Sequence, residues 1–144
     1  MALLVLALDQ ISKAWALQQL PPGRVAPLLP GLLQLRRVAN SGAAFSLLSG
    51  NSLGLGLVSA LVALAVAGWM LLRPPQGLWL KLASALVLAG ALGNGLDRWR
   101  LGSVVDFLEL VPIQFPIFNL ADVAINGAVV CFLLDSWPRR HPPG

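Results

Sequence analysis

The sequence predicts an all-α integral membrane protein with four transmembrane helices, a small extramembrane β-element and a loop near the outer face of the membrane. Of its 144 residues, 57% are hydrophobic and only 11% are charged, and the mean hydropathy is +0.77. Soluble domains carry about 25% charged residues, so this chain is too apolar for that class. Ser52–Leu72 contains no charge and is long enough to cross a ~30 Å hydrocarbon core. We expect one domain over residues 1–144.

The first predicted helix runs from Met1 to Leu20, where Asp9 and Lys13 interrupt an apolar run. These two residues are four positions apart, so they share a helix face, can form an ion pair and can turn inward together. A signal peptide is disfavoured, because a charged n-region and a small-residue cleavage site are missing. We expect a retained helix that is short for a full span.

The other spans are predicted at Ser52–Leu72, Leu78–Leu96 and Ile117–Trp137. In the connection after the first helix, Leu32–Val38 alternates partly between apolar and polar residues, which favours a short strand at the membrane surface. The segment from Trp99 to Pro116 is predicted to be a loop. Four spans place both termini on the same side of the membrane, but Lys and Arg are too evenly divided to give the orientation.

Charge and residue usage exclude several partners. The ten Lys and Arg residues against six Asp and Glu give a net charge of +4, but they are scattered, without the basic stripe of a nucleic-acid-binding protein. Anionic lipid head groups are the partner that this surplus suggests. The one cysteine, Cys131, cannot form an internal disulfide, and the one histidine, His141, lies in the polar tail. We therefore expect no metal site and no cofactor.

A first polar cluster lies at the end of the third span. Asn94, Asp97 and Arg98 follow helical spacing and share a face. Asp97 is interpreted as a membrane-interface anchor. For Asn94 and Arg98, a structural role and a functional role are both compatible with the pattern.

A second cluster, Asn119, Asp122 and Asn126, forms a polar stripe at helical spacing on the fourth span. Such groups need partners inside a helix bundle, and either a structural network or a functional site would supply them. The segment Asn40–Ser46 combines an Asn with small residues, which is typical of a turn or of close backbone approach to an extended ligand.

Asp106 and Asp122 cannot share a helix, because Pro112 and Pro116 lie between them. They can meet only if the intervening segment folds back over the start of the fourth helix. Two carboxyls in contact share a proton, so one can activate water while the other polarises a carbonyl. Sequence spacing alone does not establish this contact.

Taken in order, these clusters resemble the motifs of lipoprotein signal peptidase, the signal peptidase II family. The matching segments are Leu8–Lys13, Asn40–Phe45, Gly93–Arg98 with Gly102–Phe107, and Phe118–Asp122. The resemblance implies a membrane aspartyl endopeptidase that removes the signal peptide from diacylglyceryl-modified prolipoproteins, just before the lipidated cysteine.

The resemblance also assigns roles and a location. It implies catalytic roles for Asp106 and Asp122. Supporting or substrate-positioning roles fall to Asn40, Asn94, Arg98 and Asn119, and structural roles to Asp9, Lys13 and Asp97. The expected location is the bacterial cytoplasmic membrane, with cytoplasmic termini and the carboxyl pair near the outer leaflet. We expect a monomer whose partners are the prolipoprotein substrate and membrane lipids.

Two alternatives remain at this stage. Intramembrane carboxylates also mark proton paths, so a small proton-coupled transporter or channel subunit is the second hypothesis. A membrane scaffold whose polar groups only lock helices together is the third.

Overall fold

The computed structural model describes residues 1–42 and 50–137. Four helices and three strands alternate along the chain. They are α1 (Ala2–Gln19), β1 (Val25–Leu29), β2 (Leu33–Asn40), α2 (Ser52–Leu72), α3 (Leu78–Leu101), β3 (Val104–Leu110) and α4 (Leu120–Ser136).

The extramembrane β-element is a three-stranded antiparallel sheet in the order β1-β2-β3. The prediction of a strand near Leu32–Val38 is confirmed by β2, but the prediction that Trp99–Pro116 is a loop is wrong where β3 forms. Residues 104–107 are all buried, so β3 shows no alternation between apolar and polar residues. A short strand of this kind cannot be recognised from periodicity.

A small apolar cluster fixes this sheet to the first helix. Ala16 and Leu20, at the end of α1, pack with Leu35 of β2 and with Val105 and Phe107 of β3. The sheet therefore lies against the helical bundle, and its third strand carries Asp106 into the bundle's end.

Two predicted helix boundaries differ by more than one residue from the observed ones, the end of α3 and the start of α4, and a capping residue sets each of them. α2 has the predicted bounds. α3 continues past Leu96 to Leu101 and ends at Gly102, whose φ of 72° gives the left-handed conformation that glycine favours. α4 begins at Leu120 rather than Ile117, because Asn119 caps it.

α3 is the central helix and packs against α1, α2, α4 and β3. Among the described residues, α2 and α3 are the helices long and apolar enough to cross a membrane. α2 packs mainly on α3 and turns Leu57, Leu61 and Leu64 outward. The prediction of membrane helices is thus met by α2 and α3.

The segment before α4 returns alongside β3. Phe118 pairs with Leu108 as an antiparallel bridge, and the carbonyl oxygen of Phe118 accepts hydrogen bonds from the amides of Phe107 and Leu108 at 3.0 and 2.9 Å. This pairing brings Asn119, the next residue, beside Asp106. The segment between Asp106 and Asp122 thus folds back over the start of α4, as contact between the two aspartates requires.

Candidate active site

Asp106 and Asp122, here called the carboxyl pair, line one cavity of about 1000 Å³. Asp106 lies on β3 and is only 2% exposed, whereas Asp122 lies in the first turn of α4 and is half-buried. The cavity is therefore bounded by the sheet on one side and by the start of a helix on the other. It is large enough to admit an extended peptide segment.

Asn119 connects the two carboxylates. It forms a capping box with Asp122: the Asn119 side-chain oxygen accepts from the Asp122 amide at 3.0 Å, and the Asp122 carboxylate accepts from the Asn119 amide at 3.1 Å. The Asn119 side-chain Nδ2 also donates to Asp106 Oδ1 at 2.6 Å. One fully buried side chain thus fixes Asp106 relative to Asp122.

Two further amides complete the hydrogen bonding of the carboxyl pair. Asn94 on α3 donates from Nδ2 to Asp122 Oδ1 at 2.8 Å. Asn40, at the end of β2, donates from Nδ2 to Asp106 Oδ2 at 2.9 Å. Each carboxylate therefore accepts a hydrogen bond at both oxygens.

The pKa of Asp106 is raised to about 6, chiefly by burial and also by the nearby charge of Asp122, while hydrogen bonds from Asn40 and Asn119 oppose the shift. A carboxyl group that retains a proton near neutral pH can donate it during a reaction. The hydrogen-bonded carboxylate next to it can accept one.

Arg98 is buried beside the carboxyl pair and lines the same cavity. Its guanidinium donates to the carbonyl oxygen of Gly42 at 3.0 Å, and the Gly42 amide donates to the Asn40 side chain at 3.0 Å. The turn that the sequence predicts after Asn40 begins with these contacts. The remainder of that predicted segment, residues 43–46, lies outside the described residues.

Behind the carboxyl pair lies a second buried group, here called the lysine cluster, of Asp9, Lys13 and Asp97. Lys13 Nζ lies 2.9 Å from Asp9 Oδ2 and 3.0 Å from Asp97 Oδ2. The predicted inward-facing ion pair of Asp9 and Lys13 is confirmed. The interpretation of Asp97 as a membrane-interface anchor is wrong, because this side chain is buried in the bundle.

The lysine cluster also holds backbone groups of neighbouring elements. Asp9 Oδ1 accepts from the Ala121 amide at 2.9 Å, and Asp97 Oδ2 accepts from the Val105 amide at 3.1 Å. The start of α4 and the start of β3 are thereby tied to α1 and α3.

The structure changes the interpretation of Asn126 and reveals a role for Gln10. Asn126 is exposed and donates to the Asp122 backbone carbonyl, so the polar stripe on α4 reflects a helix cap, Asn119, rather than one continuous network. Gln10 was not singled out, yet its Nε2 lies 3.2 Å from Asp9 Oδ2 and 3.1 Å from Asp97 Oδ1. Its position next to Asp9, within the motif Leu8–Lys13, is the sequence signal that points to it.

Comparison with known proteins decides the family. The family described as Signal peptidase (SPase) II matches residues 1–138. The chain belongs to the signal peptidase II family. A lipoprotein signal peptidase of Synechococcus sp. (strain RCC307) is 53% identical over 137 residues, which cover 94% of this chain and 91% of the relative. That of Parasynechococcus marenigrum (strain WH8102) is 52% identical, over 95% of this chain and 86% of the relative.

Solved structures agree with this assignment. Two structures described as bacterial membrane enzymes superpose with TM-scores of 0.87 and 0.84, at 27% and 29% identity. The first match covers 99% of this chain and 92% of the other, and the second covers 94% and 89%. The family recognised from the four sequence motifs is confirmed, and the signal peptidase II assignment does not support the transporter alternative.

Proposed function

We propose that this signal peptidase II cleaves the signal peptide from diacylglyceryl-modified prolipoproteins, just before the lipidated cysteine, with Asp106 and Asp122 as its catalytic residues. The observation that carries the proposal is their convergence: Asn119 hydrogen-bonds to both, and both line one cavity. The prolipoprotein substrate follows from the names of its relatives, which are lipoprotein signal peptidases.

The surroundings of the two carboxyls suggest different roles. Asp122 lies in the first turn of α4 and accepts hydrogen bonds from Asn94 and from the Asn119 amide, which hold both of its oxygens in place beside the cavity. Asp106 is more deeply buried, and its raised pKa favours a shared proton on that side. In our proposal Asp122 removes a proton from the attacking water. Asp106 donates its proton to the oxygen of the scissile carbonyl.

The resulting tetrahedral intermediate then collapses. The carbon–nitrogen bond breaks as Asp122 gives the proton taken from water to the leaving amine, and Asp106 takes back its proton from the former carbonyl oxygen, so that a carboxyl group forms. The two aspartates exchange protonation states during this step and act as one titrating unit.

The supporting residues divide by what they contact. Asn40, Asn94 and Asn119 hold the carboxyl pair directly, and Arg98 lines the cavity where substrate backbone would pass. Asp9, Lys13 and Asp97 fix the ends of helices and strands around the site. The proposed reaction needs only water and these side chains, without a metal or cofactor.

We further propose that all four helices cross the bacterial cytoplasmic membrane, that both termini face the cytoplasm and that the protein acts as a single-domain monomer. The carboxyl pair would lie near the outer leaflet. Hydrolysis requires water, which the bilayer core lacks, and the interface supplies it. A diacylglyceryl group anchored in the leaflet would present the scissile bond at that level.

The test is cleavage of a diacylglyceryl-modified prolipoprotein by purified protein in detergent. We expect Asp106→Asn and Asp122→Asn each to abolish turnover while the protein remains folded. Asp135→Asn, which changes an aspartate near the other end of α4, is the matched control and should keep wild-type activity. Near-normal turnover in Asp106→Asn or Asp122→Asn would remove that residue from the chemistry.

A further inference from the structure

Lys13 donates to three acceptors, and only two of them are carboxylates. Besides Asp9 and Asp97, its Nζ lies 3.1 Å from the side-chain oxygen of Asn94. An ammonium group has three N–H donors and no acceptor, so these three contacts use its full hydrogen-bonding capacity. Lys13 is 2% exposed, which leaves no room for water to replace any of them.

This contact determines how the Asn94 amide is oriented. Because Lys13 can only donate, the atom that faces it must be the amide oxygen, and the Asn94 nitrogen must point the other way, toward Asp122. Asn119 Nδ2 reinforces this orientation by donating to the same Asn94 oxygen at 3.1 Å. Without Lys13, the Asn94 amide could rotate and present its oxygen to the carboxylate.

We propose that Lys13 is a positioning residue that acts through Asn94: it holds the amide so that an N–H always faces Asp122, and so maintains Asp122 as the ionised, water-activating member of the carboxyl pair. This inference rests on the proposed function and assigns Lys13 more than a structural role. Two hydrogen bonds, of 3.1 and 2.8 Å, connect Lys13 on α1 to Asn94 on α3 and Asn94 to Asp122 on α4.

Other charged groups surround this path and must be considered with it. Asp9 on α1, Asp97 and Arg98 on α3, Asp106 on β3 and Asp122 on α4 all lie in or beside the network. Of these, Asp9 and Asp97 contact Lys13 without contacting the carboxyl pair. Asp97→Asn removes a charge beside Lys13, keeps a side-chain oxygen that can accept from the Val105 amide, and changes neither partner of the Asn94 to Asp122 hydrogen bond.

The test is a double-mutant cycle with Lys13→Met and Asn94→Ala, measured as kcat and KM for prolipoprotein cleavage across pH. We expect Lys13→Met to lower kcat roughly 10- to 100-fold, the loss that follows when a hydrogen bond to a charged group is misplaced, with little change in KM. The acidic limb of the kcat/KM profile should move to higher pH, because a carboxylate that loses a donor is harder to ionise. In the double variant the losses should not add, because both changes break one path.

Lys13→Met alone leaves Asp9 and Asp97 buried without their cation, which can prevent folding. The double variant Lys13→Met with Asp97→Asn removes one positive and one negative charge, so the lysine cluster keeps its wild-type net charge. We expect this variant to show the same shift of the acidic limb of the kcat/KM profile as Lys13→Met. Lys81→Met, which removes an exposed lysine of α3, is the control and should behave as wild type.

Two results would overturn the inference and leave Lys13 a structural role. One is that the losses in kcat of the two single variants add in the double variant. The other is that activity falls only in proportion to the fraction of folded protein, while the acidic limb of the kcat/KM profile does not move. That failure is distinct from failure of the proposed function. If the proposed function fails, Asp106→Asn and Asp122→Asn will themselves retain turnover.

Discussion

The buried carboxylates of this protein differ in the donors that face them. Asp9 and Asp97 each contact the Lys13 ammonium, at 2.9 and 3.0 Å. Among residues 1–42 and 50–137, Asp106 receives its side-chain hydrogen bonds from the neutral amides of Asn40 and Asn119. Burial is the main reason that the pKa of Asp106 is raised to about 6, and its two amide hydrogen bonds only partly oppose this shift.

This raised pKa predicts how stability changes with pH. The folded protein binds the Asp106 proton more tightly than the unfolded chain, whose carboxyl has a pKa of 3.8. The contribution of Asp106 to stability is therefore full below about pH 4 and is lost as pH rises to about 6, by an amount on the order of 2–3 kcal/mol.

The measurement is thermal unfolding in detergent between pH 4 and pH 7. We expect the wild-type protein to lose stability, relative to Asp106→Asn, as pH rises through this window. Asp135→Asn should follow the wild type. A constant difference between wild type and Asp106→Asn at every pH would contradict the proposed burial effect.

At the scale of elements, one residue serves both the start of a helix and the candidate active site. The Asn119 side-chain oxygen caps α4, and its nitrogen holds Asp106. Helix capping and site geometry are thus two separable functions of one amide.

Substitutions of Asn119 should separate these functions. Asn119→Ser keeps a capping hydroxyl, whereas Asn119→Ala keeps none, and loss of an N-cap costs about 0.5–2 kcal/mol. We expect both variants to lose most activity, because neither donates to Asp106, and only the Ala variant to lose this stability as well. Measured melting temperatures and turnover would decide, and wild-type activity in the Ser variant would exclude a role for the amide nitrogen.

The packing of α3 against α4 requires a glycine. A Cβ placed on Gly90 would lie 2.7 Å from the backbone oxygen of Ala121 and 2.5 Å from Cγ1 of Ile125. Because Ala121 begins the turn that holds Asp122, a shift there would also displace the carboxyl pair.

We therefore expect Gly90→Ala to lower both the melting temperature and the turnover number. Gly68→Ala is the control, since nothing lies within 4 Å of a Cβ at that position of α2, and alanine is a better helix former. A Gly90→Ala protein with wild-type stability would show that the two helices separate at low cost.

Across the whole molecule, many large apolar side chains of the helices turn outward, whereas the three charged residues of the lysine cluster turn inward. Leu61 and Leu64 of α2 are 62% and 70% exposed, whereas Asp9, Lys13 and Asp97 are almost inaccessible. This is the reverse of a soluble protein, and it is stable only when lipid covers the outer surface.

A charge on the outer surface of α2 should therefore disturb membrane integration. Leu61→Arg lies in the middle of the helix, where a charge costs about 2.5–3.5 kcal/mol or more, whereas Leu72→Arg lies at its end and can reach the interface. We expect Leu61→Arg to reduce the fraction of protein that resists alkaline extraction from membranes. Leu72→Arg should not, and equal behaviour of the two variants would argue against a membrane-spanning α2.

Features that depend on neighbours along the chain could be predicted from the amino-acid sequence alone. The uncharged run gave the bounds of α2, helical spacing gave the ion pair of Asp9 and Lys13, and the order of four motifs gave the family. The first two predictions need only local composition or spacing, because the residues concerned are close in sequence. The family prediction depends on four motifs, which together are far more specific than any one of them.

Three other features became visible only in the folded chain. β3, the burial of Asp97 beside Lys13, and the position of Asn119 between the two carboxyls all depend on residues distant in sequence. A strand buried on both faces carries no periodic pattern, and a polar residue at a helix end can face either water or another helix. The bridge between Leu108 and Phe118 resolves this by returning the chain along β3 to the start of α4.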